Sequence, residues 1–479
     1  MKLKVICCLL VVFMFPLLSN AQNLRFGNHR EVKVPDYALI RIGSFYSDLS
    51  LISSVGYRYV ESSGTGVDYL FRNRLGEIKE DGSDFPIILE IQSQNYLLIS
   101  ENTDLDLSFK AGVEYYPLDT QENESYIDLI DEGAKGNFTM EFQPSPFVRI
   151  LAYDKIDYKS DYVDPRGRLD RYSGSQYEHL KNEVGIETDW LIDKNANVAL
   201  TLAREDNFPM DDEYDSQEYF RWKEDLAYEH MISPFVLAGL KAEFWQADYN
   251  STGRTDSAMQ SYSVFSEIKA TDFSVISISA GYSLGSVDDE LTIDSVTDNS
   301  QDSDLGSVIG SFSLNTKMSE ELSHMLGYSR EMDGGFNTAF EIIDKAMYKI
   351  DWKTDRASVS VYTDYDSVDP RSDTYSDYTD WTSGLKWSYK MSDYLALGYK
   401  ISYSIRDNAE LSTTTVEELD ESLTQDYSTL DNRLKLTMAV TENIDFVTYV
   451  EHEDRSSDSP DLDYDRFTGG AVFTYKHQF

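Results

Sequence analysis

Hydrophobicity in this chain alternates with a period of two, in long stretches that come in pairs. Tyr394 to Arg406 shows it best. Leu395, Leu397, Tyr399, Ile401, Tyr403 and Ile405 fall on one side. Ala396, Gly398, Lys400, Ser402, Ser404 and Arg406 fall on the other. Phe273 to Leu284 repeats the pattern, with Ile276, Ile278, Ala280, Tyr282 and Leu284 opposed mostly by serines, and Val308, Gly310, Phe312 and Leu314 do so again. Side chains alternate across a strand, so each stretch predicts a two-faced β-strand. Members of a pair are separated by very short turns, placed near Asn102, Pro144, Lys194, Ser233, Asp272, Ser319, Thr354, Ser392 and Asn443. Between pairs lie longer polar connections, such as Lys159 to Gln176, the acidic Ser286 to Asp304, and Ala409 to Gln425.

Short turns on one side and long connections on the other are the asymmetry of a transmembrane barrel. Recurrence at roughly 40 residues also falls in the range of propeller blades. Propeller strands are shorter, and neither a Gly-His nor a Trp-Asp blade signature is present. The expected fold is therefore all-β, an antiparallel up-and-down barrel of about 20 strands, within a range of 18 to 22. The first strand is expected at Leu49 to Val60 and the last from Tyr464 to Phe479. Val67 to Leu75 reads as the arm of an external hairpin.

Composition excludes other classes. The chain has 479 residues, with 42 Lys and Arg against 85 Asp and Glu. Such an acidic balance argues against nucleic acid, whose phosphates need a basic surface. A disordered acidic chain would be poor in aromatics, whereas this one has 34 Tyr, 23 Phe and 6 Trp. Residues 1–21 read as a signal peptide. Lys2 and Lys4 supply its basic start, Val5 to Leu18 its apolar core, and Ser19-Asn20-Ala21 its cleavage site. With Lys2 and Lys4 removed, the net charge becomes −45. Both cysteines, Cys7 and Cys8, leave with the leader, so no disulfide or thiol chemistry is expected. Residues 22–48 form a short periplasmic segment, too short for the plug of a TonB-dependent transporter, and residues 49–479 form the barrel. After the leader no stretch is apolar enough for a membrane helix.

The last strand carries its own signal. Phe473, Tyr475, His477 and the terminal Phe479 share one face. A two-faced strand with a terminal aromatic is the end that outer-membrane assembly machinery reads, so Phe473, Tyr475 and Phe479 are the expected assembly signal. Location in the outer membrane of a Gram-negative-type cell follows, with both termini periplasmic and with outer-membrane lipid and lipopolysaccharide as neighbours.

The hairpin rhythm of Met391 to Asn408, repeated at Asn195 to Asn207 and Asn443 to Arg455, resembles the "beta-barrel porin 2" family, found beside exosortase and exopolysaccharide genes. The resemblance spans roughly Leu49 to Phe479. It implies an outer-membrane barrel associated with polysaccharide-export components, and it supplies no catalytic residues.

Charges inside strands should avoid lipid, because Arg or Lys at the bilayer midplane costs about 2–4 kcal/mol. Arg204, Glu243, Lys400 and Arg406 are therefore expected in the lumen, and Trp222, Trp245, Trp352, Trp381 and Trp387 in interfacial girdles. Asp461, Asp463 and Asp465 alternate before the last strand as oxygen-rich candidates for calcium, set against the simpler reading of a solvated loop. His452, beside Glu451, Glu453 and Asp454, is a candidate rim acid–base cluster, set against a solvated loop-end histidine. His179 is weighed the same way. Val163-Asp164-Pro165-Arg166 recurs as Val368-Asp369-Pro370-Arg371 and reads as a loop-base turn. No enzyme activity and no cofactor are expected. The expected function is passive passage of small or saccharide solutes through a wide channel. The alternatives are a structural barrel without an open pore and, more remotely, a rim hydrolase. Acidic connections predict a preference for cations.

Overall fold

The computed structural model describes residues 40–64, 82–116, 126–163, 169–170, 175–210, 212–250, 256–287, 304–335, 339–370, 377–408, 426–457 and 463–478. Residues 1–21, read from sequence as a signal peptide, together with Val67 to Leu75, Arg166, Arg371, Asp461 and Phe479, lie outside the described residues.

Twenty long strands make the wall. They are β1 (Phe45–Ser63), β2 (Ile87–Ser100), β3 (Thr103–Tyr116), β4 (Tyr126–Ser145), β5 (Val148–Val163), β6 (Ser175–Asp193), β7 (Ala196–Pro209), β8 (Tyr219–Ser233), β9 (Val236–Tyr249) and β10 (Ser257–Thr271). The second half comprises β11 (Ser274–Val287), β12 (Asp304–Lys317), β13 (Leu322–Asp333), β14 (Glu341–Lys353), β15 (Ala357–Asp369), β16 (Tyr378–Ser392), β17 (Leu395–Asn408), β18 (Tyr427–Thr441), β19 (Ile444–Ser457) and β20 (Tyr464–Gln478). Each pairs antiparallel with the next. β1 then closes on β20, from Ser50 opposite Gln478 to Ser63 opposite Asp465. This is a closed up-and-down barrel, in which each of the twenty strands has a neighbour on both sides. The first strand starts four residues earlier than the sequence predicts, because its register with β2 continues from Leu49 opposite Ser93 back to Phe45 opposite Leu97.

The tight turns share a local device. At Ser145, Ser233, Thr271, Ser392 and Thr441 the side-chain oxygen accepts the backbone N–H two residues on, at 3.1–3.2 Å. A hydroxyl that ties down its own backbone is a turn former, so one short residue type fixes the same reversal repeatedly. Four of these turns carry an exposed aromatic, Phe147, Phe235, Phe273 or Tyr394. Together they form an aromatic collar at the tight-turn end, as expected at a membrane interface.

Alternation sorts the two faces. Leu51, Val55, Ile91, Ile186, Leu240, Val264, Val308 and Phe473 point outward and are exposed. The inner wall of β10 to β12 is built instead from Ser261, Ser263, Ser277, Ser279, Ser283, Ser307, Ser311 and Ser313. Several of these pair across strands, as Ser261 with Ser283 at 2.5 Å and Ser279 with Ser311 at 2.7 Å.

Elsewhere inner tyrosines lie over cross-strand glycines. A Cβ on Gly185, Gly384 or Gly470 would meet the ring of Tyr153, Tyr362 or Tyr449 at 2.5–2.6 Å, and each tyrosine is the direct register partner of its glycine. A cation lies over each ring, Lys155 at 4.4 Å, Lys386 at 5.3 Å and Arg433 at 5.0 Å. Glycine here makes room for the ring, and the cation–π contact holds it.

Candidate functional site: the barrel lumen

The wall charges are mostly paired. On β5 to β8, Lys155 meets Glu183 at 2.6 Å, and Lys223 bridges Glu183 at 3.1 Å and Glu205 at 2.5 Å. Glu205 also accepts from the Tyr219 hydroxyl at 2.7 Å. On β16 to β18, Arg406 clamps Asp380 with two nitrogens at 2.5 and 2.6 Å, the fork geometry that suits arginine. Lys400 pairs with the buried Asp431. Glu243 pairs with Lys241 at 2.5 Å.

Parity thus places Lys400 and Arg406 on the inner face, with the buried Ser402 and opposite to the exposed Tyr403, and Glu243 on the inner face opposite to the exposed Leu240. Arg204 is a correction to the sequence reading. Its register partners are Val184 and Trp222, both exposed on the outside. Parity therefore puts Arg204 outside too. There its guanidinium lies over Trp222 and Phe220 and meets Asp206 at 2.7 Å. It sits toward the long-connection end of β7, where the cost of an outward cation is lower than at the midplane.

Of the candidate calcium carboxylates, Asp461 lies outside the described residues, and Asp463 and Asp465 have separate partners. Asp463 accepts the Ser457 amide at 2.6 Å, and Asp465 faces His452 at 3.1 Å on the outer face. No cluster of metal-binding side chains occurs among the described residues. The rim acid–base cluster is also divided. His452 points outward with Asp465, while alternation turns Glu451 and Glu453 inward, toward Arg433 and Tyr464. His179 is buried and stacked on Tyr177 at 4.4 Å. Phe473 and Tyr475 stand on the outer face, exposed.

One feature of the lumen departs from a regular barrel wall. β12 and β13 pair only from Lys317 opposite Ser323 to Gly310 opposite Arg330. Beyond that point β13 parts from β12 and the tip of the β13–β14 hairpin leans inward, while β14 stays paired to β15 as far as Ile342 opposite Asp369. Met332, Phe340 and Ile342 bury themselves against Trp245, Ala247 and Met259 of the inner wall. A Cβ on Gly285 of β11 would strike Met332 and Phe340 at 2.5 and 2.8 Å, so that glycine makes room for them. The tip reaches Arg221 on β8, where Asp333 lies 3.6 Å away. Trp245 is consequently an inner anchor under the hairpin and not part of a girdle, whereas Trp222, Trp352 and Trp381 are exposed outside. One signal for this was present in the sequence. Asp333 to Ile343 is short and apolar, whereas the longest connections are acidic.

The inner geometry and apolar exterior define a membrane-spanning β-barrel. Searches of protein-family models and of curated proteins find no match. Among solved structures the chain is similar to the FrpB iron transporter from Neisseria meningitidis (F5-1 variant), with TM-score 0.49, 8% identity, and coverage of 89% of this chain and 82% of that one. It is similar to the siderophore receptor PirA from Pseudomonas aeruginosa, with TM-score 0.41, 7% identity, and coverage of 89% and 80%. A third is the copper transporter OprC, with TM-score 0.44, 10% identity, and coverage of 88% and 80%. At such scores these likenesses bear on neither cargo nor mechanism.

Proposed function

We propose that this protein is an outer-membrane channel for passive passage of small hydrophilic solutes, saccharides among them. The observation that carries the reading is the inner wall. Twenty strands enclose more space than side chains fill, and this wall is lined by serine, glycine and paired charges, groups suited to water. The exposed apolar exterior supports a bilayer location, with lipid and lipopolysaccharide against it. Barrel-assembly machinery would insert the chain through its C-terminal strand, leaving both termini periplasmic. A polysaccharide-export system is the proposed setting.

The inward hairpin gives the channel a constriction on the side of the long connections. Met332, Phe340 and Ile342 provide its apolar contact with the wall, and Asp333 beside Arg221 its polar one. A second reading, a structural barrel of the same export system with no open pore, is favoured by that same hairpin. Purified protein in planar bilayers separates them. Stepwise conductance supports the channel. Folded, membrane-inserted protein without conductance rejects it in favour of the structural barrel.

A further inference from the structure

From the same wall we infer a basic cup on β16 to β18 that binds oxyanions of the passing solute. The inference rests on the channel reading and names the class of solute it favours.

Gly398 forms the floor. A Cβ there would meet nothing closer than 3.8 Å, so the space above it is open. Its cross-strand partners are Ser388 and Lys435. One step along the same face, Lys386, Lys400 and Arg433 stand directly opposite one another on three successive strands. Four cations therefore rim one glycine.

Like charges directly opposed across strands are destabilising, so this row carries a cost that the fold alone does not require. Compensation is partial. Asp431 takes Lys400, and Glu451 stands 3.7 Å from Arg433. Lys386 and Lys435 are exposed to the lumen, and neither has a carboxylate partner among the described residues. Lys386 lies over the Tyr362 ring instead. These two ammonium groups rise from strands two apart, about 10 Å across the sheet. Two separated point charges with the open floor of Gly398 between them, and the Ser388 hydroxyl beside Lys386 on the same strand, suit a hydrophilic solute bearing spaced anionic groups. An acidic saccharide or a sugar phosphate has that form. The cup sits a few residues above the tight turns, on the opposite side of the lumen axis from the hairpin contacts on β8 to β10.

The test uses the full-length protein in planar bilayers, with galacturonic acid trimer, inorganic phosphate and neutral maltotriose as probes. The trimer or phosphate should interrupt the current at concentrations where maltotriose does not. Whichever acts identifies carboxylate or phosphate as the source of the oxyanion. Replacing both lysines that have no carboxylate partner among the described residues (K386Q with K435Q) should raise the half-blocking concentration roughly tenfold or more. Lys110→Gln, remote on β3, should leave it unchanged. Equal block in the double variant, or an open channel that neither anion interrupts, overturns the cup while leaving the channel intact. A barrel with no conductance rejects the channel reading. Titration calorimetry of the detergent-solubilised protein with the same probes then decides the cup: anion binding lost in the double variant supports it, and no binding overturns it.

Discussion

Asp333 and Arg221 belong to strands five apart around the wall, yet their charged groups lie 3.6 Å from one another. The inward fold of the β13–β14 hairpin creates that proximity. Arg221 is held from below by Trp245, whose ring lies 4.6 Å from the guanidinium. The polar contact itself contributes little, because Asp333 is largely exposed and solvent screens the pair. Burial of Phe340, Met332 and Ile342 does most of the holding.

Phe340→Ala should therefore release the hairpin where Asp333→Asn should not. Truncating a buried Phe typically costs about 3–5 kcal/mol, against at most about 1 kcal/mol for an exposed ion pair. The expected outcome is larger unit conductance for Phe340→Ala and a nearly unchanged value for Asp333→Asn. Equal conductance in wild type and Phe340→Ala would remove the hairpin as the constriction.

Adjacent residues on β17 should differ in solvent access. Lys400 pairs with Asp431 on the inner face, and Ile401 is its neighbour in an alternating strand, on the opposite face. With Cys7 and Cys8, the two cysteines of the sequence, replaced by serine, a single cysteine at 400 should react with a water-soluble thiol reagent and one at 401 should be spared. The reverse pattern would invert the barrel.

Two glycines on the inner wall predict opposite outcomes. Gly470→Ala pushes a methyl into the Tyr449 ring, which lies at 2.6 Å, and overpacking of that kind costs about 1–3 kcal/mol. Gly398→Ala meets only ordinary contacts and should stay within about 0.5 kcal/mol of wild type. The temperature at which the folded band shifts on an unheated gel measures both. A shift of similar size for the two variants would contradict the ring-over-glycine packing.

Deleting Phe479 should sharply lower membrane assembly. Phe473 and Tyr475 already present the outer face of β20, and the terminal aromatic completes that alternation in the sequence. Heat-modifiable protein in the membrane fraction is the measure. Wild-type yield after the deletion would mean that the terminal residue is not read.

Salt should tune selectivity. By sequence the acid excess concentrates in connections such as Ser286 to Asp304, while the described wall pairs most of its charges. Fields from exposed carboxylates reach about 10 Å at 0.1 M salt and about 3 Å at 1 M. Reversal potentials should show cation preference at low salt that fades toward 1 M. An anion-selective pore at low salt would contradict it.

The strand alternation, the turn residues and the acidic connections were all readable from the sequence, because each is written within a few adjacent residues. Tyr394 to Arg406 divides into two faces by counting alone, and Ser392 ties its own turn. That local grammar sufficed for an antiparallel barrel of about 20 strands and for Lys400 and Ile401 on opposite faces. It did not suffice for Arg204, whose side follows from register against Val184 and Trp222 on neighbouring strands. Nor did it place Tyr449 over Gly470, join Lys386, Lys400 and Arg433 into one row, or lay Phe340 along the inner wall against Trp245. Those relations join residues distant in the chain. They exist only once register and closure have fixed which strands adjoin, which face is enclosed, and where a hairpin gains more by burying its apolar side chains inward than by extending the wall.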